Sequence, residues 1–350
     1  MRACARGAAW AWSAPMTQPL PGRRLSVAPM MDWTDRHCRV LHRRLSAHAL
    51  LYTEMAVASA VVRGDPERLL RWTPALEGPV ALQLGGSDPA TLAAAVRIAC
   101  GFGFAEINLN LGCPSDKVRD GRFGACLMRE PELVARCLGA MIEASAAAGG
   151  PEITAKCRLG VDDQIPAETL PGFLDRVAGA GVRSVAIHAR KAILGGLSPK
   201  ENREIPPLDH DLALAMKRRR PDLEVIVNGG VADPDAVEAL LARGFDGVMV
   251  GRAAYHDPGG ILAAADRRVF GAPGPDATPE GAARAMLPYI ETELAAGERL
   301  HRITRHMQGL FAGRPGARAF RRVLSEGAGR PGAGPELVEA ALAELLPLAA

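Results

Sequence analysis

A chain of 350 residues with 48% hydrophobic and 23% charged residues can form one large domain and a smaller one, and this composition is typical of a soluble globular protein. The formal net charge of +3 is too small to attract a nucleic acid by itself, so such binding would need a local basic surface. No apolar run approaches the roughly 20 residues of a membrane span. The seven cysteines are scattered and lack Cys-x-x-Cys spacing, which disfavours a disulfide framework or a zinc site and favours reduced thiols in the cytoplasm.

Residues 1–24 precede the first strand pattern. Two arginines before a short Ala/Trp stretch faintly resemble a secretory signal, but Gly7, Ser13 and Pro15 interrupt the apolar part. We therefore expect an irregular N-terminal extension over residues 1–24, with Met16 as a possible start.

Eight short β-rich runs follow, each bounded by Gly, Pro or charged residues and followed by room for a helix. Asp88-Pro89 and Asp233-Pro234 each place a capping residue before a proline, as at a helix start. Eight βα units predict a TIM (β/α)₈ barrel over residues 25–272. A doubly wound sheet is the alternative, but it would carry a Gly-rich turn where this chain has Pro29-Met30-Met31. The predicted strands are residues 25–28, 50–54, 80–84, 106–110, 153–158, 184–189, 224–228 and 247–251.

The pattern changes after Ala272. The stretch APGPDATPEG is a linker by composition, and only helical patterns follow it, which predicts a small all-α helical domain over residues 273–350. From Arg299 to Arg330 there are eight arginines, and Glu326 is the only acid. A charge run is usually a solvated face, but the scarcity of acids favours a polyanion as partner.

Arginine pairs in this region have helical spacing. Arg302 and Arg305 are three residues apart, as are Arg318 and Arg321, so each pair can lie on one helix face and contact successive phosphates. His301 and His306 lie among them, and residues 217–220 and the loop 198–204 supply further cations. We expect these groups to form a basic surface.

Barrel enzymes build their active sites at the C-terminal ends of the strands. Side chains able to make polar contacts follow most of the predicted strands, and because they converge on one face they predict a site. For Glu54, a helix cap or a solvent contact is an equally good explanation. The strand-end residues are Pro29-Met30, Glu54, Gln83, Asn110, Lys156 with Arg158, His188 with Arg190, Asn228-Gly229-Gly230 and Gly251-Arg252.

Two glycine segments suit a phosphate group. Asn228-Gly229-Gly230 follows the seventh strand and Gly251-Arg252 the eighth, where barrels frequently bind phosphate with backbone N–H groups. Lys156 and Gln83 suit the ring system of a flavin, because a nearby cation stabilises the anionic reduced ring. An ordinary strand-end salt bridge explains Lys156 equally well.

Cys113 lies in the segment NLGCPS, three residues after Asn110. Gly112 permits an irregular backbone and Pro114 stiffens the turn. A thiol held there can act as a proton donor, or as a nucleophile if a base or cation activates it. Most free cysteines are merely small buried apolar residues, and we assign that role to the other cysteines of the barrel.

The motifs, taken as an ordered set from Leu25 to Glu326, closely resemble those of tRNA-dihydrouridine synthases. The stretch SPKENREIPPL is similar to the A-type branch of that family. The other matching segments are APMMDWTDRHCR, LYTEM, VALQLGGSDP, EINLNLGCPS, IHARK, NGG, DGVMVGR and RHMQGLF with GARAFRRVLSEG.

The resemblance implies a flavin-binding TIM barrel followed by a helical tRNA-binding domain. It implies that NADPH or NADH reduces FMN, that the flavin gives hydride to C6 of a D-loop uracil at position 20 or 20a, and that Cys113 protonates C5. It implies tRNA contacts at Asn110, Lys200, Arg203, Arg318 and Arg321. The implied FMN residues are Pro29, Met30, Met31, Gln83, Lys156, His188, Asn228, Gly229, Gly230, Gly251 and Arg252. We expect a cytoplasmic monomer with no metal and no membrane contact.

Two other functions remain open at the level of the sequence. One is an FMN barrel reductase that acts on a free small molecule, which would not need basic C-terminal helices. The other is a protein that binds tRNA without catalysis, which would contain no flavin.

Overall fold

The computed structural model describes residues 20–115 and 121–345, and its eight parallel strands form a closed barrel in chain order. Strand β8 pairs with β1 and completes the ring, so the TIM barrel prediction is confirmed and the doubly wound sheet is excluded. Most predicted strand ends agree within one residue, whereas β2 continues to Val57. The strands are β1 Leu25–Val27, β2 Leu50–Val57, β3 Val80–Gly85, β4 Glu106–Leu111, β5 Glu152–Arg158, β6 Ser184–His188, β7 Glu224–Asn228 and β8 Gly247–Val250.

Helices cover the outside of the barrel and form the C-terminal part of the chain. The barrel helices are α1 Arg36–Leu45, α2 Ala58–Arg63, α3 Pro66–Leu69, α4 Pro74–Glu77, α5 Pro89–Cys100, α6 Pro131–Ala147, α7 Pro166–Gly179, α8 His210–Arg219 and α9 Pro234–Ala242. After β8 come α10 Arg252–His256, α11 Pro258–Leu262 and α12 Ala265–Arg268. The C-terminal helices are α13 Pro279–Ala285, α14 Leu287–Ala295, α15 Leu300–Thr304, α16 Ala317–Gly327 and α17 Glu336–Ala343. Short 3₁₀ turns occupy Pro21–Arg24, Gly124–Arg129 and Glu201–Arg203.

Apolar and polar residues alternate along β4, so the two sides of the barrel wall differ in polarity. Ile107 and Leu109 belong to the main apolar core between strands and helices. Glu106, Asn108 and Asn110 alternate with them and make polar contacts inside the barrel. The barrel interior therefore combines a small apolar cluster around Tyr52 with a column of polar groups.

Arg23 closes the N-terminal end of the barrel, so the expected irregular extension is wrong for residues 20–24. These residues include a 3₁₀ turn that turns the Arg23 side chain into the interior, where it is 2% exposed. Its guanidinium contacts Glu106 at 2.6 Å, Glu152 at 2.7 Å and Glu224 at 2.9 Å. Burial alone would lower the pKa of Arg23, but the three carboxylates raise it well above its usual value. Residues 1–19, including Met16, lie outside the described residues.

The C-terminal helices dock against α1. Arg36 makes a double contact with Glu293 of α14, at 2.5 Å for each nitrogen–oxygen pair. His37 Nδ1 lies 2.7 Å from the hydroxyl of Tyr289. Apolar residues of the C-terminal helices join the same core as the barrel, so the two parts share one packed interior. The boundary at residue 272 stays a prediction.

The predicted helical region around Arg302 and Arg305 is only partly a helix. Helix α15 ends at Thr304, and turns lead from there to α16. His306 in these turns is buried and lies 3.0 Å from the carboxylate of Asp35, the cap of α1. Burial alone would raise the pKa of Asp35, but the hydrogen bond and charge of His306 hold it well below its usual range. His306 therefore fastens the C-terminal part to the barrel and does not belong to the expected basic surface.

Candidate active site

A cavity of about 660 Å³ opens at the C-terminal ends of the strands. Every residue that the resemblance implied for FMN lines it, from Pro29-Met30-Met31 after β1 to Gly251-Arg252 after β8. Asn110, Cys113 and Arg203 line the same cavity. Side chains that are more than 200 residues apart in sequence thus meet in one space, and its volume lies within the range of ligand sites, about 300–1,000 Å³.

The remaining expected tRNA contacts lie outside this cavity. Lys200 is exposed at the tip of the loop between β6 and α8, and Arg318 and Arg321 are exposed on α16. None of the three forms an ion pair with another described residue, so their charges are available to a partner. Arg203 differs from them because it is half-buried and reaches into the cavity, with its Nε buried and without a hydrogen-bond partner among the described residues. That position favours a contact with a group inside the cavity.

Several cations of the expected basic surface are neutralised instead. Arg305 pairs with Asp35 at 2.7 Å and Arg314 with Glu280 at 2.5 Å. In residues 217–220, Lys217 contacts Asp246, Arg219 contacts Asp175, and Arg220 contacts Asp175 and Asp222. The prediction of a basic surface is therefore wrong for these residues, because the fold pairs each of them with an acid.

The loop after β4 holds Cys113 at the cavity wall. The side-chain oxygen of Asn110 accepts hydrogen bonds from the backbone N–H of Gly112 at 3.1 Å and of Cys113 at 3.0 Å. The sulfur lies 3.4 Å from the hydroxyl of Ser115, the last described residue before position 121. Cys113 is partly exposed, so its thiol can meet a ligand in the cavity.

Lys156 is the central cation of the cavity. Its Nζ lies 3.1 Å from the side-chain oxygen of Asn228, whose amide nitrogen donates to the carbonyl of Met249. Burial lowers the pKa of Lys156 to about 8, and the charge of Arg158 acts in the same direction. No carboxylate of the described residues pairs with Lys156, so the simple salt-bridge explanation is wrong. An anionic ligand would stabilise its charged form.

Gly229 and Gly230 form a bare turn after β7. Their φ angles are +109° and +75°, in the region that glycine adopts without strain. A Cβ atom on Gly229 would lie 2.7 Å from the ring of His188, and one on Gly230 would lie 2.4 Å from Leu208. The sequence places glycine here because the backbone needs both the conformation and the space.

The cavity wall near this turn is rich in cationic side chains. Burial holds the pKa of His188 well below its usual range, and the charges of Arg158 and Lys156 lower it further, so the ring is neutral at pH 7. Arg252 contacts Glu204 at 2.5 Å and stays partly exposed. This excess of positive charge suits an anionic ligand such as a phosphate.

Arg158 connects the Cys113 loop to the loop after β6. Its Nε donates to the carbonyl of Gly112 at 3.0 Å, and its Nη1 donates to the carbonyls of Lys191 and Asn202 at 3.1 and 2.8 Å. Burial lowers the pKa of Arg158 to about 10. Position at a strand end pointed to Arg158, but nothing in the sequence pointed to its carbonyl partners.

Glu54 lies away from the cavity. Its carboxylate accepts a hydrogen bond of 2.5 Å from the backbone N–H of Asp32, a residue in the left-handed region at φ +64°. It lines a second, polar cavity between α1 and the C-terminal helices. Glu54 therefore contacts the backbone of the turn before α1, and it neither lines the first cavity nor caps that helix.

Other cavity residues were missed by reasoning from the sequence. Trp33 lines the entrance and stacks on Tyr255, with ring centroids 4.5 Å apart and an angle of 8° between the planes. Met55 belongs to the cavity because β2 is longer than predicted. Two residues below the cavity, Asn108 and Thr154, were also missed. For Asn108 the signal was present, because EINLNL has a polar residue at every second position.

Within residues 20–115 and 121–345, no helix is both long and apolar enough to cross a membrane. No group of three or more His, Cys, Asp or Glu side chains in the same residues could hold a metal ion.

Comparison with known proteins gives one consistent result. Residues 26–346 match the family model described as dihydrouridine synthase. A tRNA-dihydrouridine(20/20a) synthase from Xanthomonas campestris is 56% identical over 331 residues, which cover 93% of this chain and 96% of that protein. The protein of the same name from Escherichia coli K12 is 52% identical over 320 residues, covering 91% of this chain and 90% of its own. Among solved structures, morphinone reductase aligns with a TM-score of 0.46 and 14% identity over 74% of this chain and 88% of its own, a level from which no functional inference follows.

Proposed function

The chain belongs to the dihydrouridine synthase family, and we propose that it reduces uridine to 5,6-dihydrouridine in the D-loop of tRNA. We propose FMN as the bound cofactor and NADPH or NADH as the reductant. The names of the relatives favour uridines 20 and 20a as the targets. A cytoplasmic protein that acts as a monomer completes the proposal.

One observation carries this proposal. The residues that suit a flavin and the cysteine that suits an acid come from separate strand ends, yet they line one cavity. A general acid must lie within reach of the atom that it protonates, and a common cavity meets that requirement.

The cavity residues fit FMN on three physical grounds. The Gly229-Gly230 turn exposes backbone without side chains, as a phosphate site after strand β7 requires. The buried Nε of Arg203 is a donor without an acceptor among the described residues. Lys156 has a cationic side chain that pairs with no carboxylate of the same residues. When bound, the flavin supplies the hydride that reaches C6 of the uracil.

The protein's own groups complete the reduction and hold the base. Cys113 donates its thiol proton to C5, so the base gains one hydride and one proton across its former double bond. The hydroxyl of Ser115, 3.4 Å from the sulfur, can donate a hydrogen bond to the thiolate that remains. Asn110 lies beside Cys113, and its second amide hydrogen, which no described residue accepts, can be donated to a carbonyl group of the base.

A uridine within folded tRNA must leave its stack to reach this cavity, at a cost of a few kcal/mol. Phosphate contacts from Lys200, Arg318 and Arg321, which are exposed outside the cavity, can offset this cost. Arg203, which lies inside it, then meets either the cofactor or the extruded nucleotide.

The proposal is tested with purified protein, its visible spectrum, and NADPH or NADH. We expect bound flavin, and we expect unmodified tRNA to gain two hydrogens at uridine 20 or 20a while free uridine stays unchanged. Turnover of free uridine at the same rate would indicate a small-molecule reductase. Colourless protein that binds tRNA without reducing it would contradict the catalytic role.

A further inference from the structure

A chain of hydrogen bonds runs through the barrel from Glu106 to Cys113, and its side chains from Glu106 to Asn110 are buried. Thr154 donates to the carboxylate of Glu106 at 2.6 Å, and Asn108 Nδ2 donates to Thr154 at 2.8 Å. Gln83 Nε2 donates to the oxygen of Asn108 at 2.9 Å. Each member is buried, so none of these bonds is exchanged freely with water.

The chain continues at the cavity. Asn110 Nδ2 donates to the oxygen of Gln83 at 2.7 Å. The oxygen of Asn110 then accepts the backbone N–H groups of Gly112 and Cys113. Every hydrogen bond from the Cys113 loop to Glu106 therefore points in the same direction.

The two ends determine this direction. At the lower end the carboxylate of Glu106 faces the guanidinium of Arg23 at 2.6 Å, and an ionised carboxylate can only accept. At the upper end two backbone N–H groups can only donate. If the three amides turned over, Asn110 would present its NH₂ group to those N–H groups, and Glu106 would lose the hydroxyl of Thr154. Aligned hydrogen bonds also strengthen one another in a medium of low dielectric constant.

We infer that Asn108 is a positioning residue for the active site, because it transmits the orientation set at Glu106 to the amides of Gln83 and Asn110. With that orientation, Gln83 and Asn110 each retain one amide N–H that no described residue accepts, and both side chains line the cavity. The cavity therefore offers donors at these two places, and its ligands must present carbonyl oxygens or unprotonated nitrogens there. The same chain holds the backbone at Cys113.

The experiment compares Asn108→Leu, Asn108→Asp and the control Ser26→Ala. Leucine keeps the size of asparagine but cannot accept from Gln83, so the chain is cut. Aspartate keeps an acceptor for Gln83 and therefore keeps the orientation above it. Ser26 is also buried inside the barrel, but its hydroxyl has no partner among the described residues, so its removal leaves the chain intact.

The first measurement is the alkylation rate of Cys113, followed by mass spectrometry of its peptide in protein without tRNA. We expect a severalfold change with Asn108→Leu and a rate near wild type with Asn108→Asp and Ser26→Ala. Equal rates in all proteins would overturn the inference. If Asn108→Leu does not fold, Thr154→Val cuts the chain one bond lower, and a rate equal to that of Ser26→Ala would overturn it.

The second measurement rests on the proposed function and separates positioning from a purely structural role. We expect Asn108→Leu to lower kcat roughly 10- to 100-fold, since small misplacements of reacting groups have effects of this size, while KM for tRNA changes little. Asn108→Asp, although destabilised by its buried carboxyl group, should retain kcat. A parallel loss of kcat and stability in both variants would contradict positioning. If wild type reduces no tRNA, the proposed function fails, and the alkylation rates still decide the role of Asn108.

Discussion

Both ends of the barrel contain buried cationic side chains, but these are paired with carboxylates only at the N-terminal end. At the N-terminal end the guanidinium of Arg23 meets three carboxylates within 2.9 Å. At the C-terminal end, Lys156 contacts an amide oxygen and no carboxylate of the described residues, and Arg203 has a buried nitrogen without a partner among them. The lower end pairs its charge within the fold, whereas the described residues of the upper end leave positive charge unpaired. Stability and function are thus separated along one axis.

The largest expected effect comes from breaking the lower end. Arg23→Ala leaves the buried Glu106 facing two other carboxylates, and we expect the free energy of unfolding to fall by about 3–5 kcal/mol. Urea denaturation measures it. Arg267→Ala, which removes an exposed pair with Asp276, is the control and should cost less than about 1 kcal/mol.

The loss in Arg23→Ala should depend on pH. Burial already raises the pKa of Glu224, and without the guanidinium this rise is no longer opposed by Arg23. Glu224 then holds a proton in the folded state that it loses in the unfolded state, so the variant gains stability as pH falls towards 5. A deficit independent of pH would show that the carboxylates are not the cause.

The next effect concerns the bare turn at the upper end. Gly229→Ala adds a Cβ atom 2.7 Å from the His188 ring at a φ of +109°. We expect FMN affinity to fall by a factor of ten or more, since strain of about 1–3 kcal/mol must be relieved before the ligand fits. Gly139→Ala, with nothing within 4 Å of the added atom, is the control and should leave affinity unchanged. Equal FMN affinity in both variants would remove this turn from the cofactor site.

A smaller effect concerns charges beyond the cavity. Replacing Arg318 and Arg321 with Ala should weaken tRNA binding and reduce the slope of log affinity against log salt by about 2, one for each lost phosphate contact. Arg219→Ala removes an exposed arginine that already pairs with Asp175 and should leave the slope nearly unchanged. An unchanged slope in the double variant would show that α16 does not contact phosphates.

The smallest effect is a proton taken up by Lys156. In the free protein its pKa is about 8, and an anionic ligand should raise it. FMN binding at pH 8.5 should therefore take up a fraction of a proton, and binding at pH 6 almost none. Calorimetry in buffers of different ionisation enthalpy measures the difference, which Lys156→Gln should abolish. Uptake that persists in Lys156→Gln would assign the proton to another group.

The buried charge of Lys156 also lowers the stability of the folded state, and this cost depends on pH. Its pKa is lower in the folded state than the usual 10.5 of the unfolded chain. Below about pH 8 both states are protonated and the cost of burying the charge is fully present. Between about pH 8 and 10.5 the unfolded state binds more protons, so this cost declines as pH rises. At neutral pH the charge of Lys156 therefore destabilises the folded state, and the same charge is available to a ligand.

The local sequence pattern was sufficient to predict the strands and most of the residues that line the cavity at the C-terminal end of the barrel. Buried parallel strands produce apolar runs, and barrel geometry then brings their ends together, which is why Gln83 and Gly251 could be assigned to one cavity from sequence alone. Partners could not be assigned in this way. Arg305 looked free because Asp35 lies 270 residues away. The partners of Asn108 could not be assigned because they belong to other strands.

Replacement of Cys113 tests the central claim most directly. Cys113→Ala and the control Cys100→Ala, which alters a half-buried thiol on α5, are compared for dihydrouridine formation in tRNA. We expect Cys113→Ala to retain bound flavin and tRNA affinity while turnover falls on the order of 10²- to 10⁴-fold, the usual contribution of a general acid. Cys100→Ala should match wild type. Dihydrouridine formation at the wild-type rate in Cys113→Ala would contradict the role of Cys113 as the acid.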